Sequence, residues 1–172
     1  MSVYQILFSP TGGTKKVSAI FTNAFCAEST EIDLCERETD FSAYAFDAQD
    51  ICIVSVPSYG GRVPYIAVSR LRQMKGNGAR AVLIAVYGNR EYEDTLVELQ
   101  DTLTDVGFSC IAAVTAIAEH SIMRQFAAGR PDAQDKTQLA GFAQEIRAKI
   151  ETGKLSEPLT LSGDRPYREY GG

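Results

Sequence analysis

The chain has 172 residues, enough for one domain with a sizeable core, and its 45% hydrophobic and 23% charged residues are typical of globular proteins. The net charge of -5 argues against nucleic acid as the main partner, because phosphate backbones are bound by clustered basic surfaces. No apolar run is as long as a membrane span and the N-terminus lacks a signal-peptide pattern, so a cytoplasmic location is expected.

Apolar runs of strand length alternate with stretches of helical spacing over residues 1–152. Such alternation predicts a doubly wound α/β sheet of about five parallel strands, with helices on both faces. The predicted strands are 3–8, 29–34, 50–57, 80–88 and 108–118. The predicted helices are 15–25, 65–74, 92–106 and a last one that runs from a cap at Asp132 to about Glu151.

The last twenty residues differ from the rest of the chain. Residues 1–152 carry the alternating pattern and are expected to form one domain. Residues 153–172 lack periodicity and are rich in Pro, Gly and charge, which predicts a linker or an extended arm.

Cysteine and histidine usage argues against a metal site. The four cysteines are widely spaced, without a C-x-x-C pair, and the chain has one histidine. Zinc and iron–sulfur sites draw on closely spaced Cys and His, so none is expected within these residues. Cys52 and Cys110 lie in apolar, strand-like runs, where a cysteine is usually a small buried hydrophobe.

Three loops have an unusual composition: 9–14, 57–64 and 88–92. Each connects a predicted strand to a predicted helix. Right-handed crossovers place all such loops at one edge of a parallel sheet, where these folds bind ligands. The sequence therefore predicts one ligand site built from all three.

The first of these loops, SPTGGT (9–14), has the features of an anion site. It leads into a helix N-terminus, where unpaired N–H groups and the helix dipole favour negative charge. Its glycines permit a close approach and its hydroxyls add donors. The other interpretation is an ordinary glycine turn with Thr14 as the helix N-cap.

Several phosphate-binding classes are excluded by this loop. It lacks the lysine of a nucleotide P-loop and the spacing of the G-x-G-x-x-G dinucleotide motif. It also lacks the cysteine or arginine that a phosphatase needs. A receiver domain needs acidic residues where this chain has Ser9 and Pro57.

The loops carry a resemblance to the flavodoxin family. SPTGGT resembles that family's phosphate-binding pattern, [ST]-x-T-G-x-T, and matches it at Ser9, Thr11, Gly12 and Thr14. VPSYGGRVP (56–64) and YGNREYED (87–94) are similar to the two flavin-flanking loops of one branch. In that branch a ferredoxin-type domain with two four-iron clusters follows the flavodoxin-like domain. AEHSI (118–122), AAGRPDAQD (127–135) and RPYREYGG (165–172) are similar to the same branch.

The resemblance implies a flavodoxin-like sheet of order 2-1-3-4-5 and non-covalently bound flavin mononucleotide (FMN). Tyr59 and Tyr92 would stack on the flavin, and a glycine peptide in the second loop would flip on one-electron reduction. The implied phosphate ligands are Ser9, Thr11, Gly12, Gly13 and Thr14. The implied ring-binding residues are Pro57, Ser58, Tyr59, Gly60, Gly61, Tyr87, Gly88, Asn89, Arg90 and Tyr92.

Five charged or titratable residues in or near these loops have open roles. Arg62 and Arg90 are either solvated or cations that favour the anionic reduced flavin. Glu119 and His120 follow the last strand, and His120 is expected to be structural. Arg130 is either a helix-start residue or a contact for a partner.

The function implied by the resemblance is an FMN-binding electron-transfer domain. It would pass single electrons to or from a 4Fe-4S ferredoxin-type partner, fused or separate. The alternatives are an FMN-dependent NAD(P)H or quinone reductase, and a non-redox module that has lost the cofactor.

Overall fold

The computed structural model describes residues 1–88, 92–118, 129–154 and 159–170. Asn89, Arg90, Glu119 and His120 lie outside these residues. The elements are β1 (Val3–Leu7), α1 (Gly13–Phe25), β2 (Thr30–Asp33), β3 (Ile51–Pro57), α2 (Tyr65–Leu71), β4 (Arg80–Tyr87), α3 (Thr95–Asp105), β5 (Ser109–Ile117) and α4 (Ala133–Glu151). A short 3-10 turn, Phe41–Ala43, precedes β3.

The strands form one parallel sheet of order β2-β1-β3-β4-β5, which confirms the predicted fold. β3 lies at its centre, and its first six residues are buried because both faces of the sheet are covered. On one face Val54 belongs to a cluster with Leu71 of α2 and Leu99 of α3. On the other, Ile53 belongs to a cluster with Phe21 of α1 and Leu139 of α4.

The helix starts and ends differ from the predicted ones where the turn chemistry was not recognised. α2 ends at Leu71, because residues 72–74 continue as a turn with hydrogen bonds from Gln73 to Arg70 and from Met74 to Leu71. α3 begins at Thr95, three residues later than predicted. Glu93, just before it, has a φ of 44°, outside the right-handed helical region.

The start of α4 follows the prediction closely. Asp132 accepts from the Asp135 N–H at 3.0 Å, and the Asp135 side chain accepts from the Asp132 N–H at 2.9 Å, a capping box. Arg130 binds Asp135 through two guanidinium nitrogens, and this interaction holds the pKa of Asp135 at about 2. Arg130 is therefore a helix-start residue, and its role as a contact for a partner stays a prediction.

The C-terminal segment 159–170 has no helix or strand and lies along α3. The Gln100 side chain donates to the Leu159 carbonyl at 2.8 Å, and Leu161 packs against the core. The Asp164 N–H donates to Asp94 Oδ1 at 2.8 Å. An extended arm describes this segment better than a free linker. No described helix combines the length and apolar character needed to cross a membrane.

Candidate functional site

A cleft of about 430 Å³ lies at the carboxyl edge of the sheet. The loops after β1, β3 and β4 meet there, as parallel strands require, and their side chains and backbone form its walls. This size is within the usual range of small-molecule sites. The lining residues are Ser9, Pro10, Thr11, Gly13, Thr14, Pro57, Ser58, Tyr59, Gly60, Val86, Tyr87, Gly88 and Ala118.

One wall of the cleft is the N-terminus of α1. The N-cap is Gly12, whose φ of 93° favours glycine, and no acidic residue lies in the first turn. The interpretation with Thr14 as N-cap is therefore wrong, since Thr14 is the second helical residue. Ser9 Oγ accepts from the Lys15 N–H at 2.9 Å. No described residue accepts from the N–H of Gly13 or Thr14, so this end of the helix has donors available for an anion.

The opposite wall is formed by a tight turn, Tyr59–Arg62, termed the Tyr59 turn. Tyr59 N donates to the Arg62 carbonyl at 2.9 Å, and Arg62 N donates to the Tyr59 carbonyl at 3.1 Å. The two central glycines have φ values of 59° and 79°, the combination that a type I′ turn requires. The sequence places Gly60 and Gly61 at the two positions where other residues would be strained.

Tyr59 presents an aromatic ring at the cleft. The residue is 40% exposed and lines the cleft. Partial burial of the Tyr59 side chain raises the pKa of its hydroxyl, and the neighbouring Cys35 adds a smaller effect in the same direction. Tyr59 is therefore a neutral phenol with a free aromatic face at neutral pH.

The other candidate ring, Tyr92, packs inside its own loop. It meets Tyr87 edge to face, with 5.7 Å between ring centroids and 62° between planes, and it contacts the core. Tyr92 does not line the cleft, whereas Tyr87 does. Its stacking on a ligand remains a prediction without support from this geometry.

Ser58 connects two of the cleft loops. Its hydroxyl lies 2.7 Å from Thr95 Oγ1, at the start of α3, and donates to the Tyr92 carbonyl at 3.4 Å. Its N–H donates to the Val86 carbonyl at 2.8 Å. These bonds fix the end of β3 against β4 and α3.

Arg62 is not the solvated arginine of one of the two interpretations, and its influence on a reduced flavin stays a prediction. Its guanidinium donates to both carboxylate oxygens of Glu98, at 2.8 and 2.5 Å, and Glu98 is 4% exposed. The hydrogen bonds that Arg62 donates to Glu98 are the main cause of the raised pKa of Arg62. Arg62 does not line the cleft, and its charge is neutralised by Glu98 in a partly buried pair.

Ten of the fifteen predicted site residues line the cleft: Ser9, Thr11, Gly13, Thr14, Pro57, Ser58, Tyr59, Gly60, Tyr87 and Gly88. Gly12, Gly61 and Tyr92 lie behind its walls and shape the loops instead. Asn89 and Arg90 are outside the described residues. The described lining residues include no Lys, Arg, Asp or Glu, so the cleft offers an anion only neutral donors and a helix dipole.

Three lining residues were missed by sequence analysis. Pro10 lies within the SPTGGT loop itself, and Val86 and Ala118 lie at or just after the ends of β4 and β5. Their signal was positional: residues at the carboxyl ends of parallel strands meet at one edge. Their types alone carry no functional pattern.

The comparisons with known proteins agree with this architecture. No protein-family model and no curated protein matches the sequence. Oxidised flavodoxin 1 from Bacillus cereus has a TM-score of 0.62 and 14% identity, over 85% of this chain and 97% of that chain. Rubredoxin oxygen:oxidoreductase from Desulfovibrio gigas has a TM-score of 0.60 and 17% identity, over 91% of this chain and 37% of that chain.

A third similar structure is the azoreductase AzrA, with a TM-score of 0.53 and 10% identity over 88% of this chain and 100% of that chain. At these identities the property held in common is the arrangement of strands and helices. That arrangement and the observed strand order identify the same architecture. This chain has the flavodoxin-like fold.

Proposed function

We propose that this chain binds FMN in the cleft and transfers electrons. The observation that carries the proposal is the composition of the two walls. One wall offers the free N–H groups of Gly13 and Thr14 at a helix N-terminus, and the other offers the exposed ring of Tyr59. FMN has a terminal phosphate for the first wall and a flat aromatic ring system for the second.

The donor set fits a single phosphate rather than a nucleoside triphosphate. The SPTGGT loop has backbone N–H groups and hydroxyls but no lysine to contact a further phosphate. Thr14 is 4% exposed and lines the cleft, where its hydroxyl is available as one more donor. These residues would hold the phosphate, while Tyr59, Tyr87 and Gly88 would lie against the ring.

The bound flavin would supply the redox chemistry, and the protein would set its potentials. Because Arg62 is neutralised by Glu98, we expect it to have little influence on the charge of the reduced ring. Gly60 has a separate role. No described residue hydrogen-bonds with the Gly60 carbonyl or the Gly61 N–H, so the peptide between them is free to reorient toward a ligand.

The partner that we propose is a 4Fe-4S ferredoxin-type domain, fused or separate. The support is the resemblance of the three loops and of RPYREYGG to the corresponding segments of flavodoxin–ferredoxin fusions. A reduced two-cluster ferredoxin, mixed anaerobically with the flavin-loaded protein, should reduce the flavin. Failure of that transfer, with a flavin that dithionite still reduces, would contradict the partner and leave the cofactor standing.

The experiment that tests the cofactor is an absorbance titration of the purified protein with FMN, riboflavin and FAD, followed by stepwise anaerobic reduction. We expect FMN to bind and riboflavin, which lacks the phosphate, to bind at least about tenfold more weakly, since charge-assisted hydrogen bonds are worth 1.5–3 kcal/mol. The absorbance of one-electron-reduced flavin during the titration would support single-electron transfer. An absence of binding in excess FMN would contradict the proposal.

A second candidate is an FMN-dependent reductase of NAD(P)H or quinones. Its support is the similar fold of an azoreductase, together with a cleft that leaves Tyr59 partly exposed, where a second planar substrate has room. Anaerobic addition of NADPH to the flavin-loaded protein separates the candidates. Rapid bleaching favours the reductase, and an unchanged spectrum favours the carrier.

A further inference from the structure

Arg62 is the point where the Tyr59 turn meets two distant parts of the chain, α3 and the C-terminal segment. Its backbone closes the turn on Tyr59, and its side chain is bound by Glu98 of α3. Its Nη1 also donates to the Arg168 carbonyl at 2.7 Å. The guanidinium lies 5.0 Å from the ring centroid of Tyr167 and 4.1 Å from that of Tyr170, both within cation–π distance.

The C-terminal segment that makes these contacts, 159–170, is anchored at two aspartates, Asp94 at the N-cap of α3 and Asp101 within α3. Asp101 accepts from Arg165 Nη2 at 2.8 Å and Nε at 2.9 Å, and also from the Tyr167 hydroxyl. Asp94 is 6% exposed and accepts from the backbone N–H of Asp164 and of Arg168, each at 2.8 Å. Neither carboxylate lines the cleft.

The segment also presses directly on the turn. A Cβ at Gly61 would lie 2.8 Å from Arg168 Cδ and 2.8 Å from Glu93 Cβ, so the glycine is enclosed. The Gly61 carbonyl accepts from the Asp94 N–H at 2.9 Å, and Tyr170 donates its hydroxyl hydrogen to the Val63 carbonyl at 3.0 Å. These contacts hold the turn at Gly61 and Val63, from outside the cleft.

We propose that Arg62 is a positioning residue through which the C-terminal segment sets the conformation of the Tyr59 turn, and with it the affinity of the cleft for flavin. When the segment is docked, Arg62 is clamped between Glu98 and two tyrosine rings, and Tyr59 is presented in one orientation. When it is released, Arg62 keeps Glu98 but loses one carbonyl and both rings. The turn then loses more conformational entropy when flavin binds, and this lowers the affinity of the cleft for flavin.

The segment 159–170, termed the strap, would therefore influence ligand binding in the cleft without contacting the ligand. Asp101 lies far enough along α3 to contact only the strap among these groups, through Arg165 and Tyr167. Neither Asp101 nor Tyr170 lines the cleft, so changes at both positions release the strap without altering a lining residue. The flavin readout rests on the proposed function, whereas the turn's mobility can be measured without flavin.

The experiment compares the full unaltered chain with the double variant Asp101→Asn/Tyr170→Ala. Phe142→Ala is the matched control, because Phe142 on α4 is 43% exposed against 46% for Tyr170 and contacts neither strap nor turn. Tryptic cleavage after Arg168 reports release of the strap. Hydrogen exchange of the flavin-free protein measures the exchange rates of the backbone N–H groups within 57–63, with those within 9–14 as the internal reference.

We expect the double variant to be cleaved faster after Arg168 and to exchange faster at 57–63, with 9–14 unchanged. We also expect its dissociation constant for FMN to rise about fivefold or more, because a disordered turn must be ordered on binding. Replacing Tyr170→Ala by the less disruptive Tyr170→Phe keeps an aromatic ring over Arg62. The double variant with this change should regain most of the affinity for FMN.

Three results would overturn the inference. They are a strap that stays protected in the double variant, a released strap with unchanged exchange at 57–63, and a released strap with an unchanged FMN constant. If the unaltered chain binds no flavin, the proposed function fails instead, and the exchange data alone decide whether the strap controls the turn.

Discussion

The two walls of the cleft are held in opposite ways. The SPTGGT loop is held locally: Ser9 Oγ accepts a hydrogen bond from the N–H of Lys15, six residues later, and Gly12 is the N-cap of the helix that follows. The Tyr59 turn is held by groups far along the chain, including Glu98 and the Arg168 carbonyl, 36 and 106 residues from Arg62. A local wall forms with its own strand and helix, whereas a remotely held wall depends on the rest of the fold.

This difference matters for ligand binding. The first wall presents neutral backbone donors that are already oriented by helix α1, so it needs little from elsewhere. The second wall presents one aromatic ring whose position depends on a buried ion pair and on the C-terminal segment. We expect phosphate affinity to be insensitive to remote changes and ring affinity to be sensitive to them.

The largest effect should come from a matched pair of glycine substitutions, one in each wall. Gly12 and Gly61 both have positive φ, but a Cβ at Gly12 meets nothing within 4 Å, while one at Gly61 meets Glu93 and Arg168. Gly12→Ala should lower the free energy of unfolding by about 1–2 kcal/mol through strain alone. Gly61→Ala adds a clash and should cost about 3 kcal/mol.

Urea unfolding of the flavin-free variants measures this difference. Equal losses at the two positions would mean that the C-terminal segment yields to the new methyl group, and the two walls would then be equally adaptable. That result would contradict the proposed difference between the two walls.

The next effect isolates the first wall. Thr11 is exposed in the loop, so Thr11→Asp should fold normally while placing a carboxylate beside the expected phosphate. Like charges at close range should cost about 2 kcal/mol, roughly a thirtyfold rise in the FMN dissociation constant. Riboflavin affinity should stay unchanged.

Thr11→Asn is the control, since it has nearly the same shape without the charge. If the aspartate weakens FMN and riboflavin alike, the phosphate is held elsewhere and the local wall has another role. Isothermal titration at constant ionic strength gives both constants.

A smaller effect tests how the second wall is joined to α3. The hydroxyls of Ser58 and Thr95 are 2.7 Å apart, and a double-mutant cycle with Ser58→Ala and Thr95→Val removes each in turn. We expect a coupling energy of about 1 kcal/mol in unfolding, typical of one buried hydrogen bond. Additive losses would show that the two hydroxyls act independently.

The same contrast explains what could be predicted from the sequence. The alternating strands and helices and the SPTGGT loop were predictable because their signals are contiguous: apolar strands, a glycine break and a helical pattern within twenty residues. The sheet order came from the resemblance to the flavodoxin family, and the structure confirms it. The N-cap was misassigned to Thr14 in one interpretation, because hydroxyl residues are common caps and the backbone at Gly12 leaves no side-chain signal.

The second wall was predictable only in its residues, not in what holds them. The resemblance assigned Tyr59, Gly60 and Gly61 to a ring-binding loop, and the structure places Tyr59 and Gly60 at the cleft while Gly61 only shapes the turn. It left Arg62 undecided, because its partners are Glu98 and the C-terminal segment, and no periodic pattern links those positions. The same segment was expected to be a linker or arm, and its docking depends on Asp94 and Asp101, which belong to an otherwise ordinary helix pattern.

The smallest effect comes from the Asp101 carboxylate, which binds the C-terminal segment. The pH dependence of its contribution to stability distinguishes the second wall from the first. The hydrogen bond from Arg165, with a further one from Tyr167, holds the pKa of Asp101 below its ordinary value. A carboxyl with a lower pKa in the folded state contributes stability above its unfolded pKa, about 3.9, and loses it as the pH falls through the folded pKa. Asp101→Asn should therefore cost about 1 kcal/mol near neutral pH, discounted because the pair is partly exposed.

That cost should shrink toward zero as the pH is lowered below about 4, because the protonated wild-type carboxyl then resembles the asparagine. Urea unfolding of both proteins across this range measures the gap. Ser9→Ala, which removes a neutral hydrogen bond from the first wall, should show a gap that does not change with pH over the same range. A gap for Asp101→Asn that is equally constant would mean that the segment docks through its backbone contacts alone, and the two walls would then differ in the distance of their supports but not in their physical kind.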